Sequence, residues 1–530
     1  MSFNILFNRI YKRLNRSTAC LFTFASIIPL LLAGCGGVSD SQTETDTGAY
    51  SKIDSLIEQI MEEEDIPGIA IVIVQGDEIA YCQGYGVASI DSRQPVTTDT
   101  LFDLASLTKS FTALAVLLME DQGLIDIDDP LQKYLPNFQI ADSRGAEITI
   151  RQLLNQTSGI PGIFSEILIF NDSYEGMLAS LSSLRLNNDP GTAFEYADLN
   201  YCLLGALIER VSGMTYEEYM DASIFTPLGM DHTTVDPEEA IEMGKADGHQ
   251  PMYGRVVARN IPAMKSARPA GWVMSCAEDM GKWLLVHLNS GVLDGKQVIP
   301  ADDIEEAHSI AVLYEDNNEE MAYGMGWSIS INSDILYHFH CGDTPNFTSD
   351  MLLLPDYDVG IAVLVNGQVS NISHSIATQI ADILFNLDLT SINVPWWAHW
   401  KALDTIAIGI LFSVIGLLVV WIFYIWRLFR LFRAGKRCFF WSKTAGPLPP
   451  VWQVVLYSMP AVIISTIAIT GNVVVDTLFG YNIFEALSLF EMGAPPGLYI
   501  SGMMAIAFLL LWGLSMILVG LFIRLPQTKS

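Results

Sequence analysis

The sequence predicts an α+β fold: an antiparallel sheet flanked by helices with a helical insertion, followed by three transmembrane α-helices. Apolar runs rich in β-branched residues occur at 68–74 and 79–87 and return at 328–331, 335–340, 349–354 and 359–365. The region between them reads as mostly helical, which separates this pattern from the regular alternation of a doubly wound sheet. Three uncharged apolar stretches at about 406–426, 451–475 and 498–523 are each long enough to cross a bilayer.

Taken in chain order, residues 1–35 read as a signal peptide. Arg9, Lys12, Arg13 and Arg16 form a basic start, and an apolar stretch from Leu21 to Leu32 follows. It ends in Leu32-Ala33-Gly34-Cys35, which resembles the lipobox of bacterial lipoproteins and makes Cys35 the candidate lipidation site. Residues 36–50 are polar and aperiodic, as a tether would be. A folded domain is expected over 51–392. In it, Gln75-Gly76-Asp77-Glu78 and Pro355-Asp356-Tyr357-Asp358 supply turns between strands, and Ile372, Ile376, Ile380, Ile383, Leu384 and Leu387 mark a closing helix over 371–387.

Residues 393–530 form the membrane region. The loop between the first two spans carries Arg427, Arg430, Arg433, Lys436, Arg437 and Lys443, whereas the next loop carries Asp476, Glu485 and Glu491. Positive residues stay on the cytoplasmic side, so the Arg-rich loop and the C-terminus are expected in the cytoplasm and the folded domain outside it. Trp396, Trp397 and Trp400 stand where interfacial aromatics anchor a first span. Asp404 lies at the edge of its span, and no ionisable residue inside a span marks a transport path.

The formal net charge of −31 is unevenly distributed. Residues 36–400 hold 15 Lys and Arg against 55 Asp and Glu, a balance of −40. So acidic a domain repels nucleic acid, which excludes that partner class. The lipid bilayer is the expected partner, with room for a membrane protein. No Cys-x-x-Cys pair occurs among the seven cysteines; Cys82, Cys202, Cys276 and Cys341 read as small buried thiols, the alternative being disulfides formed in an oxidising compartment, whose pairing the sequence does not assign.

The chemistry rests on Ala105-Ser106-Leu107-Thr108-Lys109-Ser110-Phe111. Leu107, Phe111, Leu114, Ala115 and Leu118 fall on one helical stripe, and Gly123 marks a stop. Ser106 therefore starts a helix, and Lys109 lies one turn on along the same face. The helix N-terminus and the ammonium both favour an alkoxide at Ser106, and a desolvated Lys can lower its pKa enough to share proton work.

Three motifs together resemble class C β-lactamases, low-molecular-weight penicillin-binding proteins, and the related S12 peptidases and esterases. They are Ser106-Leu107-Thr108-Lys109, Tyr196-Ala197-Asp198 and His340-Cys341-Gly342. Leu153 to Gly159, Gly271 to Asp279 and Tyr323-Gly324-Met325-Gly326-Trp327 match as well, so the resemblance covers about residues 50–390. It implies a β-lactamase/transpeptidase-like fold and a serine hydrolase. Ser106 would be the nucleophile, Lys109 and Tyr196 would shuttle its proton, and His340 would line the site opposite Ser106. Backbone N–H groups of Ser106 and Asp343 would form the oxyanion hole, with Asp198 and Gly342 contacting substrate. Lys109 would supply the cation that a phenol needs to act as base. No cofactor or metal is expected: His338 and His340 share a strand face without a carboxylate-flanked ligand set, and Asp126-x-Asp128-Asp129 lacks the other positions of a calcium loop.

The departures bear on substrate. His340 stands where true β-lactamases carry a Lys that reads the substrate carboxylate, and it is mostly neutral near pH 7. Asp198 replaces an Asn, adding a negative charge that should keep Lys109 protonated. Gln156 replaces a His before Thr157-Ser158-Gly159, at a position expected to be structural. The expected activity is hydrolysis of ester, D-amino-acyl or peptide substrates, small or of the cell envelope. The alternatives are a penicillin-binding carboxypeptidase or β-lactamase, and a sensor acylated at Ser106 that signals through its membrane helices.

Overall fold

The computed structural model describes residues 46–162, 171–316, 319–331, 335–368, 372–387, 389, 400–439 and 496–524. The leader, Cys35, the interfacial Trp396 and Trp397, and the span expected over 451–475 lie outside these residues.

Eight strands form one antiparallel sheet: β1 (Gly68–Gln75), β2 (Glu78–Gly86), β5 (Val312–Asp316), β6 (Glu319–Tyr323), β7 (Ser328–Ser330), β8 (Tyr337–Asp343), β9 (Thr348–Leu354) and β10 (Val359–Val365). Their order is β2-β1-β10-β9-β8-β7-β6-β5, so the N-terminal hairpin closes against the last strand of the domain. Ile69 to Gln75 pair with Val365 to Val359 in register. The centre reads as continuous apolar sequence because helices cover both faces of the sheet.

One face carries Ile69, Ile71, Ile73, Leu352, Leu354, Ile361 and Val363 under α1 (Asp46–Glu64) and α6 (Ile372–Phe385). The other carries Ala70, Val72, Val74, Met351, Leu353, Ala362 and Leu364. It packs on the helical insertion, which includes α2 (Thr108–Asp121), α3 (Asp198–Ser212), α4 (Ala277–Leu288) and α5 (Ala301–His308). A separate hairpin, β3 (His249–Met252) and β4 (Arg255–Ala258), rises beside the β8–β9 turn.

The predicted strands are present, with β8 shifted to begin two residues later and run through Asp343. The β5–β6 hairpin was not anticipated. Its Glu315, Asp316, Glu319 and Glu320 are residues that strands usually avoid, tolerated here because the hairpin forms the sheet edge. The stripe on α2 understates its burial: Thr108 through Met119 are all buried, so α2 is a central helix rather than an amphipathic surface one. Ser106 sits in a 3₁₀ turn, Ala105–Leu107, that feeds α2 and is not part of its first α-helical turn. Helix α2 stops at Asp121, and Gly123 follows at φ +70 as a left-handed cap. Cys82, Cys202, Cys276 and Cys341 are free thiols; Cys202 and Cys276 are buried, while Cys82 and Cys341 are only partly so.

Two apolar helices, α7 (Trp400–Arg433) and α8 (Pro496–Phe522), are long enough to cross a membrane. The first continues through Arg427, Arg430 and Arg433, so part of the expected Arg-rich loop is helical. The two helices lie side by side and run in the same direction. Ser501 Oγ donates to the Ala407 carbonyl at 2.9 Å, and Trp421 Nε1 donates to Ser515 Oγ at 2.9 Å, a constant offset along both chains.

Candidate active site

The 3₁₀ turn before α2 forces Ala105 into the left-handed region at φ +48, the kind of strain that functional sites retain. Strand β8 comes close alongside this turn. A Cβ on Gly342 would lie 2.5 Å from the Leu104 carbonyl oxygen and 3.0 Å from Ala105 Cβ, so only glycine fits. Ser349 Oγ on β9 donates to the same Leu104 carbonyl at 2.6 Å. From the other side Gly326, at φ +79, lies against the backbone of Lys109 and Ser110, which explains the Gly-Met-Gly stretch.

Ser106 Oγ receives two hydrogen bonds, from Lys109 Nζ at 3.0 Å and from the Tyr196 hydroxyl at 2.9 Å. Lys109 is fully buried. Besides Ser106, its ammonium donates to the Ala270 carbonyl at 2.7 Å and pairs with Asp198 Oδ1 at 2.7 Å. Two hydrogen bonds and an ion pair with a carboxylate thus surround Nζ, and the ion pair favours the ammonium over the neutral amine. Burial alone would push the Lys109 pKa down, but Asp198 and then Tyr196 outweigh it and hold it above the ordinary lysine value. The expectation that Lys109 stays protonated agrees with this geometry. The expectation that desolvation frees it as a base is corrected: the Asp198 carboxylate overrides burial.

Tyr196 is anchored from both sides by Gln156, itself at φ +61. Glu195 N–H donates to the Gln156 carbonyl at 2.9 Å, and Ala197 N–H donates to Gln156 Oε1 at 3.1 Å. The Lys109 ammonium sits 4.8 Å from the centre of the Tyr196 ring. Burial pushes the Tyr196 pKa up to about 12 against the lowering effect of Lys109. The cation is present as expected, but it does not bring the phenol down to the neutral range.

His340 is buried, and its side-chain hydrogen bonds run to neighbours other than Ser106. Nδ1 lies 2.8 Å from the Cys341 carbonyl, so Nδ1 carries the proton and Nε2 accepts from the Tyr323 hydroxyl at 3.2 Å. Burial, then Lys109, lowers its pKa to about 3, so the ring is neutral. It forms a wall of the site against the Tyr196 ring, 6.2 Å away. Phe194 stacks on Tyr314 and meets Tyr323, extending this wall with aromatic surface. Gln156 is structural, as its position suggested, whereas the roles of Ala270 and Tyr323 are not legible in the sequence, because each depends on a backbone carbonyl or a neighbour across the sheet.

His338 turns away from His340 and stacks on His308, whose Nε2 lies 3.0 Å from His287 Nδ1. The expected loop acids are already held by cations, Asp128 by Arg151 and Asp129 by Lys133.

Residues 53–385 match the beta-lactamase family. Protein flp of Staphylococcus aureus (strain COL) is 30% identical over 326 residues, covering 60% of this chain and 63% of that protein. Beta-lactamase-like protein 4 of Dictyostelium discoideum is 31% identical over 341 residues, 59% of each. The chain therefore spans less than two thirds of the length of these relatives. The octameric penicillin-binding protein homologue from Pyrococcus abyssi superposes with a TM-score of 0.58 at 28% identity, covering 64% of this chain and 78% of that one. With the sheet order, the Ser106–Lys109–Tyr196 cluster and a matched segment of more than half its length, the chain belongs to the beta-lactamase family.

Proposed function

We propose that this protein is a membrane-anchored serine hydrolase that cleaves ester or D-amino-acyl substrates through an acyl-enzyme outside the cytoplasm. The observation that carries this is the convergence of Lys109 Nζ and the Tyr196 hydroxyl on Ser106 Oγ. Ser106 attacks the substrate carbonyl, and its proton passes along the Tyr196 hydrogen bond to a phenolate stabilised by Lys109. The oxyanion is held by the N–H groups of Ser106 and Asp343, a reading supported by the close packing of Gly342 on the Leu104–Ala105 backbone. Collapse of the oxyanion breaks the bond to the alcohol or amine, which leaves with the proton held by Tyr196, and the regenerated phenolate then activates water for deacylation.

A neutral His340 and the Asp198 carboxylate favour neutral over anionic substrates, and the aromatic wall of Phe194, Tyr314 and Tyr323 suits an apolar acyl group. The full chain in detergent is expected to hydrolyse p-nitrophenyl butyrate and to turn over nitrocefin poorly, with Ser106→Ala inactive on both. Nitrocefin turnover faster than ester turnover would overturn the substrate assignment in favour of a β-lactamase.

The base is the minor phenolate of a group whose pKa is raised to about 12. Its population grows tenfold per pH unit below that value, so kcat/KM is expected to rise about tenfold per unit between pH 7 and 10. A plateau reached near pH 7 would assign the base to another group.

The membrane reading has its own support. Helices α7 and α8 both start at the catalytic domain and run the same way, so residues 434–495 must recross the bilayer if both are spans. The apolar stretch at 451–475 supplies that return, giving three spans with the Arg-rich segment in the cytoplasm.

A further inference from the structure

The tip of the β3–β4 hairpin is held by both apolar helices. Asp404 on α7 is buried at 3% exposure; its carboxylate accepts the Tyr253 N–H at 2.7 Å and the Gly254 N–H at 2.5 Å. These two residues form the hairpin turn, at φ +53 and +75. The Tyr253 hydroxyl bonds Ser501 Oγ on α8 at 2.9 Å, and Ser501 donates in turn to Ala407 on α7. Gly497 leaves room for this contact, since a Cβ there would sit 3.2 Å from the Tyr253 ring and 3.3 Å from Asp404. A carboxylate at the end of an apolar helix is costly unless bonded, and here both oxygens are used on backbone donors of the catalytic domain.

The base of the same hairpin holds the turn that follows the oxyanion strand. Gln250 Nε2 donates to the Pro345 carbonyl at 2.6 Å, and His249 N–H donates to the Asn346 carbonyl at 3.1 Å. Asn346 Nδ2 donates back to the Arg259 carbonyl at 2.7 Å. Gly248 comes so close that a Cβ would lie 2.0 Å from Asn346 Nδ2 and 2.6 Å from the Phe347 ring. Thr344 N–H closes the turn on the Phe347 carbonyl at 3.0 Å. Asp343 immediately precedes it. His249 ties the hairpin to the end of β10, where its Nδ1 lies 2.8 Å from the Asn366 carbonyl, and gives the lever a fixed pivot.

We propose that α7 and α8 position the active site through this hairpin, with Asp404 as the positioning residue: the clamp at Tyr253–Gly254 fixes the 344–347 turn and thereby the N–H of Asp343. The effect on catalysis rests on the acyl-enzyme reading above; the mechanical coupling does not. A flexible anchor needs no carboxylate on the hairpin, whereas a positioning element needs a short, directional contact of this kind.

The test uses the full chain in detergent with Asp404→Asn and, as a milder break of the same clamp, Tyr253→Phe. Hydrogen–deuterium exchange is followed over 341–352, with α2 as internal reference. Faster exchange at 343–348 with α2 unchanged is expected, together with a fall in kcat for p-nitrophenyl butyrate of about tenfold in Asp404→Asn at constant KM. Exchange at 343–348 that is unchanged in both variants overturns the proposal, as does a rise spread equally over α2. If exchange rises as expected but the wild-type chain neither hydrolyses esters nor labels with a fluorophosphonate, the coupling stands and the acyl-enzyme reading falls.

Discussion

Lys109→Met is expected to lower kcat/KM for p-nitrophenyl butyrate by about 10³-fold, or ~4 kcal/mol of transition-state stabilisation. Three losses add. Ser106 Oγ loses one of its two donors. Tyr196 loses the cation that opposes its burial, so its phenolate becomes rarer still. The negative charge that builds on the Ser106 side of the transition state loses a fixed, buried ammonium. The fold should survive, because Met fills a similar volume and Asp198, about a third exposed, can be hydrated once its partner is gone. Circular dichroism and the melting temperature check that point, and steady-state kinetics with the Ser106→Ala background subtracted read the effect. A loss below tenfold would mean that Lys109 serves only packing.

The site is legible in the sequence where its chemistry is local and hidden where it depends on the fold. Ser106 and Lys109 are one helical turn apart, so their proximity follows from the period of the helix alone. The strands at 68–74 and 359–365 were legible because both faces are buried, leaving unbroken β-branched runs. The β5–β6 hairpin was hidden by its four acidic residues, which fit an exposed edge but carry no alternation. The protonation state of Lys109 was open in the sequence: burial and Asp198 push in opposite directions, and only the 2.7 Å separation decides between them. Gln156 could be seen to replace a histidine, but its hold on the Tyr196 segment passes through backbone N–H groups to its side-chain oxygen and its own main-chain carbonyl, which no side-chain pattern reports. Asp404 was visible as a charge at a span's edge; its partners, two backbone N–H groups some 150 residues earlier, were not.

Acid should unfold the catalytic domain steeply, and the cause is its buried histidines. Burial, then the nearby His338, lowers His287 to about 3, while burial lowers His338 to about 4. Burial, then the field of Lys109, lowers His340 to about 3. His308, between His287 and His338, is pushed well below its ordinary value by burial and then by those two rings. Each ring charges near pH 6.5 in the unfolded chain but stays neutral in the folded one until far lower pH. The unfolded state therefore binds protons first, so the stability these groups confer is complete above pH 6.5 and is lost as pH falls toward 4. Four such rings give a limiting slope of about 5 kcal/mol per pH unit, an upper bound because carboxylates raised by burial, such as Asp303 at about 6, work in the opposite sense. Among the described residues, His287 Nε2 and His338 Nδ1 are buried without a hydrogen-bond partner, so no described carboxylate at those positions offsets the added charge. Thermal melts from pH 7.5 to 4.5 should show the melting temperature falling through this window. His338→Gln should flatten the fall by about one proton's worth, because it removes one titrating ring. A melting temperature constant between pH 6.5 and 4.5 would show that these rings are hydrated or already charged in the folded state.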